Sequence, residues 1–250
     1  MPGWLEAAWW GFVAGGALLV GAAVGWYVAV PARIIAWVMA FGAGVLISAL
    51  SFDLMDEAER TGGLAATAVG FIGGASAYVA ANAVLARRGA AHRKRSGDQQ
   101  PSEAQSKGSG AAIAIGALLD GIPESVVLGV TLIDGSGVGV AVLAAVFISN
   151  LPEGLSSAAG MKTAGRGRGY VFGVWGTITV LSSMAAMIGY LTLDGASPFL
   201  VAVITAVAAG AILAMVADTM VPEAFQRTHL LTGLITTLGF LVAFAIERAA

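Results

Sequence analysis

Asp120-Gly121-Ile122-Pro123-Glu124 and Ser149-Asn150-Leu151-Pro152-Glu153 set acidic groups in the middle of apolar runs long enough to cross a bilayer. An ionised carboxylate in hydrocarbon is costly, so it faces a protein-lined path or a cation. The Pro-Glu ending recurs after 29 residues, which makes a single accident a poor explanation. Two such carboxylates on neighbouring spans suggest a cation site between two helices.

The surrounding chain is that of a membrane protein. Of 250 residues, 58% are hydrophobic and 11% charged, and 35 are glycine. Small residues permit close helix approach in lipid. Cysteine is absent, which removes disulfides and thiolate metal ligands from consideration. Eight apolar segments stand out, at 4–29, 34–55, 64–86, 111–133, 138–160, 169–192, 199–221 and 230–247. Each is near the roughly 20 residues that a helix needs to span hydrocarbon. The first lacks a basic leader and reads as a retained helix, with Trp4, Trp9, Trp10, Trp26 and Tyr27 suited to interfacial anchoring.

One polar connector interrupts this pattern. Residues 87–110 hold Arg87, Arg88, Arg93, Lys94, Arg95 and Lys107 among Ser, Gln and Gly, and read as a flexible loop. A nucleic-acid tail explains it less well than the positive-inside rule. With the loop cytoplasmic, eleven basic residues lie inside, and only Arg60 and Arg248 lie outside. Both termini are then extracytoplasmic.

On a helix, Asp120 and Glu124 share one face, as do Ser149 and Glu153. Counting the rise per residue puts both pairs at mid-depth, so antiparallel neighbours bring two half-sites together. Pro123 and Pro152 each remove a donor, which should bend the helix and free the carbonyls of Leu119 and Ile148. A second echo joins 44–58 to 210–224: the glycine and the Glu-Ala keep a common spacing, while Asp53 and Asp218 differ by one position. Their spans run in opposite directions, as in an inverted-repeat transporter. Asp53 and Asp218 fall toward opposite mouths, where acidic groups attract cations. Asp56, Glu57 and Glu223 read more simply as helix-end carboxylates in water.

At these residues the chain resembles the ZIP family of divalent-metal transporters. The resemblance extends over nearly all eight spans, the basic loop between spans three and four, the tandem Pro-Glu motifs and the acidic endings of spans two and seven. It implies an all-α, eight-helix integral membrane transporter that moves zinc, iron, manganese or related metals such as cadmium toward the cytoplasm. A homodimer in a prokaryotic plasma membrane fits this picture. The expected metal ligands are Asp120, Glu124, Ser149, Asn150 and Glu153, with Asp53 and Asp218 on the route. Metal is substrate here, not cofactor, and no enzyme is expected because nucleophile–base pairs are missing.

Asp120 and Ser149 stand where the family commonly has histidine, and Gly121 where it has asparagine. Residues 169–193 lack Asp and Glu, so one central metal position is expected, not two. The only histidines, His92 and His229, fall outside mid-membrane. An oxygen-only ligand set suits harder cations as well as zinc. The alternative is a ZIP-like protein that binds or senses a cation and transports little.

Overall fold

The computed structural model describes residues 1–94, 100–102, 104–106, 108–133 and 137–249. The described residues form an all-α bundle. Its helices are α1 (Gly3–Tyr27), α2 (Ala32–Ala49), α3 (Met55–Leu85), α4 (Ser109–Val130), α5 (Val140–Thr163), α6 (Arg168–Leu193), α7 (Pro198–Met215), α8 (Val221–Thr228) and α9 (Leu230–Ala249). Helices are the expected solution for apolar segments in lipid, because they satisfy every backbone hydrogen bond internally. Among the described residues, seven stretches are long and apolar enough to cross a membrane, one of them a 59-residue path from Ala32 to Ala90. Leu231, Leu234, Leu238 and Leu241 of α9 face outward, a surface suited to lipid and not to water.

The long path has an internal break. At Gly63 the backbone takes φ 76° and ψ 168°, a region essentially restricted to glycine. The helical run from α2 therefore redirects there, before the apolar part of α3 begins.

That break belongs to a larger regularity. α2 and α7 are both 18 residues long, and each continues into a five-residue π-helical turn, Leu50–Leu54 or Val216–Met220. The helices begin at 32 and 198, the π turns at 50 and 216, and the following helices at 55 and 221; the backbone breaks fall at Gly63 and His229. Every pair is 166 residues apart. The packing follows the same exchange: α3 lies along α7, and α2 lies along α9. A Cβ on Gly44 would stand 1.9 Å from Thr236 O, and one on Gly210 would stand 2.0 Å from Phe71 O. Matching glycines thus let matching helix pairs come into backbone contact. α1 packs on α5 and α6, and α6 packs on α4, which sets α4 and α5 in the interior.

The main apolar cluster joins Leu46, Leu50 and Leu54 to Val127, Leu128, Ile212, Met215 and Met220. Both α4 and α5 continue as helix through Pro123 and Pro152.

The connector after α3 departs from the expected solvated loop. Arg87, Arg88 and His92 are exposed, but Arg93, Lys94 and Gln100 are buried at 2%, 5% and 2% exposure. Arg95 and Lys107 lie outside the described residues. Two of the basic residues have turned inward because buried carboxylates wait there.

Candidate functional site: a buried charge cluster

Asp120 lies on the inner face of α4 and is 1% exposed. Its carboxylate is held from two directions. Tyr78, on α3, donates its hydroxyl to Oδ1 at 2.6 Å. Arg93 grips both oxygens, with Nη2 2.8 Å from Oδ1 and Nε 2.9 Å from Oδ2. A two-pronged pairing of this kind is the strongest geometry open to arginine and carboxylate.

The guanidinium is satisfied beyond Asp120. Its Nη2 also donates to the Tyr78 hydroxyl at 2.8 Å, and Nη1 donates to Asn82 Oδ1 at 2.7 Å and to Ala90 O at 3.4 Å. Five donors meet five acceptors, the full capacity of an arginine side chain. Asn82 passes the network on through its amide nitrogen, 3.4 Å from Asp218 Oδ2. Gly116, one turn before Asp120, leaves room for this arrangement: a Cβ there would lie 2.5 Å from Arg93 Cδ.

Lys94 closes the cluster. Its ammonium bonds Glu153 of α5 and lies 3.4 Å from Asp120 Oδ2. One cation thus sits between carboxylates from two helices. The Lys94 carbonyl accepts from Ser156 Oγ. Gln100 Nε2 donates to Arg93 O at 3.0 Å and to Ser157 O at 3.2 Å, which ties the connector to α5. Removing a charge from water costs several kcal/mol per ion unless partners and hydrogen bonds compensate, and here both are supplied.

Glu124 is the exception. It is 1% exposed, and neither carboxylate oxygen has a hydrogen-bond partner among the described residues. It interacts electrostatically with Glu153, Lys94 and Asp120, so it belongs to the same cluster.

Ser149 bonds Val146 O of its own helix at 3.0 Å. Asn150 turns toward α1, donating to Ala14 O at 2.9 Å. Asp218 sits in the second π turn, exposed, and reaches the cluster through Asn82. Asp53 sits in the first π turn and lines, with Glu247 of α9, Glu57 and Thr205, a cavity of about 430 Å³. Asp120 and Glu153 therefore meet at one cation, whereas Ser149 and Asn150 bond elsewhere and Asp53 lines a separate cavity. Among the described residues, no three His, Asp or Glu side chains converge closely enough to hold a metal ion.

Tyr78, Asn82, Arg93, Lys94 and Gln100 had no place in the sequence-derived site. One signal does point to the two basic residues. Three acidic groups on α4 and α5 require counter-charge, and the basic run just before α4 is a nearby supply.

The arrangement can hold positive charge at a buried position between α4 and α5. No known protein-family model matches the chain, and no curated protein matches it.

Proposed function

We propose that this protein is a ZIP-like carrier of divalent metal cations, with Asp120 and Glu153 as the primary substrate ligands. The observation that carries the proposal is the Lys94 ammonium held between Asp120 and Glu153. Carboxylates from two helices already share one cation inside an apolar bundle, the chemistry that a passing metal ion requires. Oxygen ligands accept manganese and iron as readily as zinc or cadmium.

The constant 166-residue offset between helix boundaries supports the finer architecture. Splitting the long path at Gly63 gives eight spans, with α1–α3 and α6–α9 as repeats of opposite orientation. Both termini are then extracytoplasmic, the basic connector is cytoplasmic, and metal moves toward the cytoplasm. Alternating access follows if each repeat in turn adopts the conformation of the other. A homodimer is part of the same reading.

The test is a metal-panel flux assay in sealed proteoliposomes, comparing wild type with the Asp120→Asn, Glu153→Gln double variant. Uptake of at least one of manganese, iron, zinc or cadmium by the wild type, lost in the double variant, is the expected result. No uptake of any of these ions by correctly folded, correctly oriented wild type sinks the proposal.

A second reading has its own observation. Because Arg93 and Lys94 already fill the centre, the protein fits a metal-binding or sensing role with little flux. Saturable metal binding in detergent, without uptake into vesicles, separates this reading from transport.

A further inference from the structure

We infer that Arg93 and Lys94 form a tethered cation pair that competes with the substrate for Asp120 and Glu153 and so sets the charge a substrate must carry. The inference rests on the transport reading above and adds two specificity-determining residues to it.

Arg93 and Lys94 bring two positive charges to the carboxylates of Asp120 and Glu153. Withdrawing the pair with nothing in its place would strand two carboxylates in a buried site, which is strongly unfavourable. Withdrawal is therefore coupled to the arrival of another cation. A divalent ion replaces both charges; a monovalent ion replaces one and leaves a carboxylate uncompensated. The pair thus excludes monovalent ions by charge and not by size.

Geometry makes the exchange practicable. The pair is carried by the connector after α3, not by a membrane-spanning helix. Its neighbours Arg87, Arg88 and His92 are exposed, so water lies at hand for the side chains as they leave. The contacts that fix the backbone, from Ser156 to Lys94 O and from Gln100 to Arg93 O, are hydrogen bonds that water can replace. The Arg93 stem rests where Gly116 has no side chain.

The chain contains no cysteine, so Ala90→Cys introduces a single thiol. Ala90 is fully buried and accepts from Arg93 through its carbonyl. The experiment measures maleimide labelling of this thiol in detergent, with Mn²⁺ or with K⁺ at equal ionic strength. The Ala90→Cys background is then combined with Lys94→Gln, Lys94→Arg or Gly116→Ala. In parallel, Mn²⁺ and Rb⁺ uptake is measured in proteoliposomes.

Mn²⁺ is expected to raise the labelling rate about tenfold and K⁺ to leave it unchanged, if the withdrawn state is populated about one time in ten at rest. Lys94→Gln should label quickly without metal, lower the half-saturating Mn²⁺ concentration about tenfold and admit Rb⁺. Lys94→Arg keeps the charge and should restore metal-dependent labelling and the exclusion of Rb⁺, two readouts that a merely structural role for Lys94 would not move. Gly116→Ala displaces Arg93 without altering any charge and supplies a second route if Lys94→Gln does not fold.

Labelling that ignores Mn²⁺ while Mn²⁺ uptake proceeds overturns the inference and leaves the transport reading standing. So does identical behaviour of Lys94→Gln and Lys94→Arg. Absence of both uptake and a metal effect on labelling overturns the two together, the first through flux and the second through labelling.

Discussion

Tyr78 and Asp120 lie 42 residues apart in sequence and 2.6 Å apart in space, and the tyrosine hydroxyl that donates to the aspartate also accepts from Arg93. One hydroxyl therefore couples α3, α4 and the connector. Tyr78→Phe leaves its two charged partners short of a bond at a buried site, with an expected loss of about 1–3 kcal/mol. A lowered midpoint for thermal unfolding in detergent checks this.

Arg93 and Asp120 should prove strongly interdependent. Removing either charge leaves the other buried and uncompensated, so Arg93→Gln and Asp120→Asn should each cost about 3–5 kcal/mol. The double variant should lose less than the two costs added together. A double-mutant cycle read by chemical denaturation measures the coupling, and simple additivity would contradict the pairing.

Helix contact makes an independent prediction. Gly44→Ala and Gly210→Ala each drive a methyl group into a facing backbone carbonyl, at Thr236 and Phe71 respectively. Each should cost about 1–3 kcal/mol, the usual range for overpacking. Because the two sites are counterparts across the 166-residue offset, their melting shifts should be similar; a harmless Gly210→Ala beside a damaging Gly44→Ala would break the correspondence.

The two breaks in helical backbone predict effects of opposite sign. Gly63 has φ 76°, whereas its counterpart His229 holds φ 42° with a side chain attached. Gly63→Ala should lower stability by about 1–3 kcal/mol, and His229→Gly should raise it by about 1 kcal/mol through relief of strain. Thermal melts of the two variants check both directions.

Much of this organisation can be read before any coordinates. Apolar run length suffices for an all-helical, membrane-embedded bundle, because lipid leaves few alternatives for the backbone. Asp120, Glu124 and Glu153 stand out for the same reason: an acidic side chain among Ala, Leu and Val is expensive wherever it goes. The repeat is faint in sequence, since glycine and alanine recur by composition alone, and becomes clear in the coincidence of helix ends, π turns and breaks. Arg93 and Lys94 are hidden more deeply. A run of basic residues among Ser, Gln and Gly looks solvated, and only the three-dimensional proximity of Asp120 and Glu153 separates these two from exposed Arg87 and Arg88. Tyr78 and Asn82 carry no local signal, because a tyrosine and an asparagine on an apolar helix acquire meaning from what approaches them. Asn150 shows the converse, a polar residue beside the Pro-Glu motif that serves helix contact with α1.

The order of the charges along the chain has a consequence for assembly. Arg93 and Lys94 precede Asp120, Glu124 and Glu153 in sequence, and a chain is made from its N-terminus, with earlier parts free to organise first. The cations are thus already synthesised when the two acidic helices emerge. α4 and α5 need not enter the membrane as bare carriers of negative charge, because their neutralising partners stand waiting on the segment made just before them.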